Sequence, residues 1–171
     1  MAEIWDLYTI QRCPLGTTAV RGQALPEGAY HIVVTVWVVC PGRGVLLTLR
    51  HPEKPVYPNT WENTGGSVLA GETSLSGACR ELFEETGITA KEEELQFLQT
   101  HVAGSALMDT YLLCRDVDTA SLTMQRGETV AVQIASFARL RQMAANGALA
   151  APIAQQFYKL ENVLERATGT P

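Results

Sequence analysis

The residues with the strongest chemical content lie between Gly66 and Ile88, in the run GSVLAGETSLSGACRELFEETGI. Leu75, Ala78, Cys79, Leu82 and Phe83 approach the i, i+3, i+4, i+7 pattern and predict a helix over residues 73–86. Gly87 suits a left-handed cap at its end. On this helix Glu81, Glu84 and Glu85 are three and four residues apart, so their carboxylates share one surface. Carboxylates gathered in this way repel one another unless a cation neutralises them. Arg80 directly precedes them, Glu72 sits at the helix entry, and Gly65-Gly66 reads as a turn that lets backbone pass close to a partner. Carboxylates together with a Gly-rich turn point to a divalent metal and a phosphate. The plainer reading is a solvated acidic face paired with basic neighbours, but the nearest basic residues are only Arg80 and Lys91.

The elements that must position this group follow from the rest of the pattern. Residues 4–10 (IWDLYTI) read as a short strand, and residues 11–29, rich in Gly and Pro, as an irregular connection. Residues 30–40 (YHIVVTVWVVC) give the strongest strand signal, β-branched, aromatic and almost without charge. Residues 41–44 are a turn, and 45–50 the second arm of a hairpin. Residues 51–60 hold three prolines and read as a loop, and 61–64 as a short strand leading into the Gly65-Gly66 turn. Beyond the helix, residues 95–102 and 106–114 read as strands, 115–127 as a polar loop and 129–135 as a last strand. Helices over 137–146 and 151–167 follow, separated by Gly147. The order suits an α/β fold in which a mixed sheet lies between helices. The central strand, with few polar positions, implies burial on both of its faces.

Composition narrows the function. The 171 residues suit one domain over 1–171. The net charge of −5, with no Lys/Arg cluster, argues against a nucleic-acid polymer as partner. A small phosphorylated anion is still bindable where metals reverse the local field. Cys13, Cys40, Cys79 and Cys114 form no CxxC pair or zinc spacing. Cys40, Cys79 and Cys114 lie in apolar runs and read as small core residues. No apolar run reaches the ~18 residues of a spanning helix. The first residues lack a basic stretch followed by an apolar one. A cytoplasmic protein with reduced thiols, and without a membrane partner, is therefore expected.

The run Gly66, five residues, Glu72, seven residues, Arg80-Glu81-Leu82, one residue, Glu84-Glu85, one residue, Gly87-Ile88 resembles the Nudix box at each of its defined positions. The resemblance implies a Nudix α/β/α sandwich with a mixed β-sheet between helices. It also implies hydrolysis of a nucleoside diphosphate linked to another group, with Mg²⁺ or alternatively Mn²⁺. It assigns Glu81, Glu84 and Glu85 to the metal, with Glu84 also able to accept a proton from water. Arg80 would orient a catalytic glutamate, and Glu72 would be a more distal metal carboxylate. Glu128 resembles a later loop glutamate that serves as ligand or general base. Gly65, Gly66, Arg50, Lys54 and Arg21 are the candidates for substrate contact, because they flank the box or the strand that should line the cleft. Glu92, Glu93 and Glu94 read as a solvated face. Trp37 reads as a core residue and Trp61 as one that could stack on a base.

Residues 5–66 further resemble the branch related to type 1 isopentenyl diphosphate isomerase. That enzyme needs a cysteine near the segment matching Asn63-Thr64-Gly65-Gly66, and no cysteine stands there. His31 matches one of its metal-binding histidines, which keeps an isomerase as an alternative. A non-catalytic nucleotide-binding module on the same scaffold is the third reading. A homodimer is left open.

Overall fold

The computed structural model describes residues 2–125 and 127–169. Residue 126 of the expected polar loop, and the ends of the expected domain at 1, 170 and 171, lie outside the described residues.

The elements are strands β1 (Ile4–Tyr8), β2 (Pro14–Val20), β3 (His31–Cys40), β4 (Gly44–Arg50), β5 (Trp61–Glu62) and β6 (Thr64–Ser67), helix α1 (Ser74–Thr86), strands β7 (Leu95–Ala103), β8 (Ala106–Cys114) and β9 (Thr129–Ala135), and helices α2 (Phe137–Ala145) and α3 (Ala151–Ala167). β1 and β2 form a two-stranded ribbon, and the other strands form a mixed sheet with the path β5-β4-β3-β8-β7. β6 also pairs with β3, and β9 with β4. Among the strand pairs of the described residues, only β3 and β8 run parallel, matching Val33 with Met108 and Thr35 with Thr110.

β3 shows why the sheet is covered on both faces. Its side chains alternate, so Val34, Val36 and Val38 pack with Ala78 and Leu82 of α1. Trp37 and Val39 pack with Leu140 of α2 and Phe157 of α3. The expected α/β sandwich with a mixed sheet is therefore the observed one. α1 begins at its Thr73 cap, where Thr73 and Ser76 form a reciprocal capping box, and ends at Gly87 with φ 75°.

Several expectations are corrected. Residues 11–29 are not wholly irregular, because β2 lies within them; its side chains are exposed apart from Ala19 and Val20, so no apolar alternation announces it. Gly65-Gly66 is not a turn but the middle of β6, antiparallel to β3. β3 and β4 pair only at Val39–Val45 and Cys40–Gly44. Beyond that point the facing edge of β3 pairs with β6 and that of β4 with β5, while β9 holds the other edge of β4, so the hairpin opens into a cleft. Phe83 is 56% exposed, not core, because Gly77, Ala78, Leu82 and Thr86 form the buried stripe of α1. Cys114 is exposed at the end of β8, where its thiol donates to the Ala167 carbonyl at 3.1 Å. Among the described residues no helix is long and apolar enough to cross a membrane.

Candidate active site

The opening between β3 and β4 is lined by residues from six parts of the chain. α1 contributes Glu81, Glu84 and Glu85, and β6 contributes Gly65, Gly66 and Ser67. Arg50 comes from the end of β4, Lys54 from the following loop, and Glu128 from the residue before β9. Arg21 and Glu3 come from the base of the β1–β2 ribbon. Together they enclose a cleft of about 190 Å³.

The glycines have a steric reason to be there. A Cβ at Gly66 would lie 2.2 Å from the carboxyl carbon of Glu81, so only glycine leaves room for that carboxylate against the strand. A Cβ at Gly65 would lie 2.5 Å from the Val34 carbonyl oxygen. The Gly65 N–H also donates to Oε2 of Glu85 at 3.3 Å.

Arg80 organises the carboxylates. Its Nε and Nη2 donate to the two oxygens of Glu72 at 2.8 and 3.0 Å, and its Nη1 donates to Glu81 at 2.8 Å and Glu84 at 3.1 Å. Nη2 also reaches the Ser67 carbonyl at 2.9 Å, tying the helix to β6. The Leu69 N–H takes a further contact on Glu72 Oε2 at 2.9 Å. Glu72 is thus occupied on both oxygens and does not line the cleft; the structure places it behind Arg80, apart from Glu81, Glu84 and Glu85.

The cations in the cleft are paired. Arg50 Nη1 donates to both oxygens of Glu62 at 2.8 and 2.9 Å, Lys54 pairs with Glu128, and Arg21 pairs with Glu3 at 2.5 Å. Glu62, Glu3 and the cleft-lining Gln125 were not among the sequence candidates. Glu62 directly precedes the Asn63-Thr64-Gly65-Gly66 segment, but its value depends on strand pairing, Thr48 opposite Glu62, which brings β5 alongside the end of β4. No spacing rule reads that register from sequence.

Electrostatics at the site favour added positive charge. Burial, and then the neighbouring charges of Glu62 and Glu81, push the Glu85 carboxyl well above its ordinary range. Burial also raises Glu81, against the pull of Arg80, and raises Glu62, against the pull of Arg50. Glu72 goes the other way: burial would raise it, but hydrogen bonds from Arg80 and Leu69 hold it below the usual value. As the side chains stand, no three described His, Cys, Asp or Glu groups converge on one point. Arg80 holds Glu81 and Glu84, and Lys54 holds Glu128. The donor set is nevertheless all oxygen, as Mg²⁺ and Mn²⁺ require.

The other candidates sort clearly. Trp37 is fully buried and donates to Gln156 at 2.7 Å; Trp61 packs partly buried against the α2–α3 core. His31 is buried and stacked on Trp5 with ring centroids 4.0 Å apart. Glu92, Glu93 and Glu94 are exposed, as expected, and Glu94 pairs with Arg115 at 2.5 Å.

Comparison with known proteins agrees with this construction. The NUDIX domain model matches residues 29–157. The chain is 30% identical over 146 residues to the uncharacterized Nudix hydrolase lin0387 of Listeria innocua, covering 85% of this chain and 86% of that protein. The fold resembles the crystal structure of DR0079 from Deinococcus radiodurans, with TM-score 0.74 and 22% identity over 92% of this chain and 98% of that one. It also resembles a bifunctional NMN adenylyltransferase/ADP ribose pyrophosphatase from Francisella tularensis, complexed with AMP and a Mn ion. There the TM-score is 0.62 and the identity 18%, over 79% of this chain and 42% of that one. The chain belongs to the Nudix family and is a Nudix hydrolase.

Proposed function

We propose that this chain hydrolyses the diphosphate bond of a nucleoside diphosphate joined to another group, with Glu81, Glu84 and Glu85 holding Mg²⁺ or Mn²⁺. The observation that carries the reading is the meeting of these carboxylates with Glu128, Arg21, Arg50 and Lys54 in one cleft beside Gly66. A purely structural acidic face would not draw these separate segments to one place. The Francisella structure, similar in fold, holds a Mn ion and AMP, which supports the same ligand classes here.

A divalent cation bound there supplies charge neutralisation for diphosphate oxygens and polarises the phosphorus toward attack. The remaining work falls to the chain's own residues. Arg21, Arg50 and Lys54 offer charge-assisted hydrogen bonds to phosphate oxygens, exchanging them for their present carboxylate partners. Glu128 accepts a proton from the attacking water once Lys54 turns to phosphate, and Glu84 is the second candidate for that role. Arg80 is a positioning residue that orients Glu81 and Glu84. Glu72 holds Arg80 in place in preference to ligating the metal.

The β1–β2 ribbon begins before the residues that the family model matches, within the stretch whose resemblance to the isomerase branch raises the alternative of isomerisation. Among the described residues no cysteine lines the cleft, however, and His31 stacks on Trp5 instead of lining it, so hydrolysis is favoured over isomerisation. Tyr8–Tyr30 bridging and the Ala70 N–H to Ile4 carbonyl bond tie the ribbon to the sandwich, supporting one domain. Four free cysteines fit a reducing, cytoplasmic setting.

The test is hydrolysis of a panel of nucleoside diphosphates and nucleotide sugars with Mg²⁺, Mn²⁺ or EDTA. Turnover that EDTA abolishes, and that Glu85→Gln lowers by about 10²–10³-fold, is expected. A folded protein with no turnover of any substrate would favour the binding-module reading. Proton exchange into isopentenyl diphosphate from D₂O would favour the isomerase.

A further inference from the structure

Arg50 lines the catalytic cleft, but the carboxylate that holds it, Glu62, stands outside the lining. Nη1 of Arg50 donates to both oxygens of Glu62 at 2.8 and 2.9 Å. The two side chains are only 21% and 16% exposed, so solvent screens the pair weakly. Contact with both oxygens restricts the direction of the guanidinium as well as its distance. Glu62 is itself a fixed post. Strand β5 pairs with β4 at Thr48–Glu62 and Leu49–Trp61. The Trp61 N–H also donates to the Ala148 carbonyl at 2.8 Å, and the Ala150 N–H donates to the Trp61 carbonyl at 2.9 Å. Glu62 is therefore tied to the sheet and to the segment between α2 and α3.

Arg50 in turn holds the loop of residues 51–60. Its backbone N–H donates to the Thr60 carbonyl at 3.0 Å, and its Nε donates to the Val56 carbonyl at 3.1 Å. Between those two contacts Tyr57 and Asn59 have φ 51° and 55°. A tyrosine keeps such a left-handed conformation only where its surroundings hold it there. The Thr60 hydroxyl contributes a bond to the Tyr57 carbonyl at 2.7 Å. Lys54 belongs to this loop and pairs with Glu128, while the His51 N–H donates to the Glu128 carbonyl at 2.8 Å. The position of Lys54 thus follows the loop, and the loop follows Arg50. Nη2 of Arg50 makes no hydrogen bond among the described residues, so it is the nitrogen left to meet an anion before the bonds to Glu62 are exchanged.

We propose that Glu62 is a positioning residue: it sets Arg50, and through Arg50 the loop that carries Lys54, so that the two phosphate cations are placed as one unit. The proposal rests on the reading that Arg50 and Lys54 meet the diphosphate, and adds what holds them ready for it. Glu62 itself touches neither substrate nor metal.

The experiment is a double-mutant cycle with a binding measurement beside it. Glu62→Gln keeps the shape and removes the charge. It should lower kcat/KM for a nucleoside diphosphate substrate about tenfold, mostly through KM. Glu62→Asp, which keeps the charge on a shorter side chain, should fall between Glu62→Gln and wild type. Because Glu62 acts through Arg50, Glu62→Gln combined with Arg50→Lys should be no worse than Arg50→Lys alone. Losses that multiply in the double variant would overturn the proposal. So would an unchanged KM with a lowered melting midpoint, the result expected of an ion pair that serves stability alone. Calorimetric titration with α,β-methylene-ADP, which resists hydrolysis, gives a readout without turnover. Its affinity should fall about tenfold in Glu62→Gln, and amide hydrogen exchange over residues 51–60 should quicken. Mn²⁺ binding without nucleotide, followed by electron paramagnetic resonance, should be unchanged; a weakened Mn²⁺ affinity would make Glu62 a metal residue and overturn the assignment. Weaker analogue binding and faster loop exchange in a protein that turns over no substrate would sink the hydrolase reading and keep the positioning role. Turnover in the wild type with an unmoved analogue affinity in Glu62→Gln would do the reverse.

Discussion

Glu81 and Gly66 show how closely a catalytic group and its backbone support are coupled. The carboxylate occupies the space that any Cβ at residue 66 would take. Gly66→Ala therefore displaces the flexible end of Glu81, not the strand. The expected result is a kcat about 10²-fold lower with little change in thermal midpoint, measured by metal-dependent turnover and by melting. Gly65 differs because its absent Cβ would meet the Val34 carbonyl, which is fixed in the sheet. Gly65→Ala should cost about 1–3 kcal/mol of stability, read by denaturant unfolding. Opposite outcomes for adjacent glycines would distinguish a site defect from a folding defect. Arg80 belongs to the same argument. Its planar fork meets Glu72 through two nitrogens while also reaching Glu81 and Glu84, a geometry that lysine cannot reproduce.

α1 is positioned at both ends, and each end has its own chemistry. At the start, Thr73 accepts from the Ser76 N–H, and the Ser76 hydroxyl accepts from the Thr73 N–H. Thr73→Ala should cost about 1 kcal/mol, measured by chemical denaturation, with turnover falling only as far as the helix start frays. At the far end, Gly87 adopts φ 75° and its N–H closes on the Phe83 carbonyl at 2.7 Å. Between the caps, the buried stripe of Gly77, Ala78, Leu82 and Thr86 fixes the rotation of the helix. That rotation turns Glu81 and Glu85 toward β6 and leaves Phe83 in solvent. Apolar periodicity identified the helix, but Phe83 misled because one exposed aromatic residue adjoins a correct stripe.

Across the whole molecule, the β1–β2 ribbon is latched to the sandwich by a buried carboxylate. Asp109 of β8 receives Arg12 Nη1 at 2.7 Å from the ribbon turn and Thr100 of β7 at 2.6 Å, and it is also bonded by Ser74 at the start of α1. Burial would raise the Asp109 pKa, but the bonds from Arg12, Ser74 and Thr100 outweigh it and hold the group below its usual value. The folded state therefore binds fewer protons than the unfolded chain, whose Asp titrates near 3.9. The stabilisation is complete above that value and is lost as pH falls through the folded pKa. Asp109→Asn should lower unfolding free energy by about 3 kcal/mol at pH 7. The difference from wild type should shrink as pH falls below about 4. Equal unfolding curves across that range would remove Asp109 from this role. Because the same ribbon carries Glu3 and Arg21 into the cleft, its attachment bears on substrate binding as well as stability.

The local pattern was sufficient for what depends on neighbours in the chain. Helical spacing put Glu81, Glu84 and Glu85 on one surface, a β-branched and aromatic run marked β3, and the glycine and arginine positions completed the box. None of these signals carries strand register or the path of a sheet. So Glu62 beside Arg50, Lys54 on Glu128, and Glu72 behind Arg80 could be read only after folding. The physical reason is range. Backbone periodicity is set within a few residues, whereas pairing between distant strands is selected by burial of their faces and by side chains that meet across it.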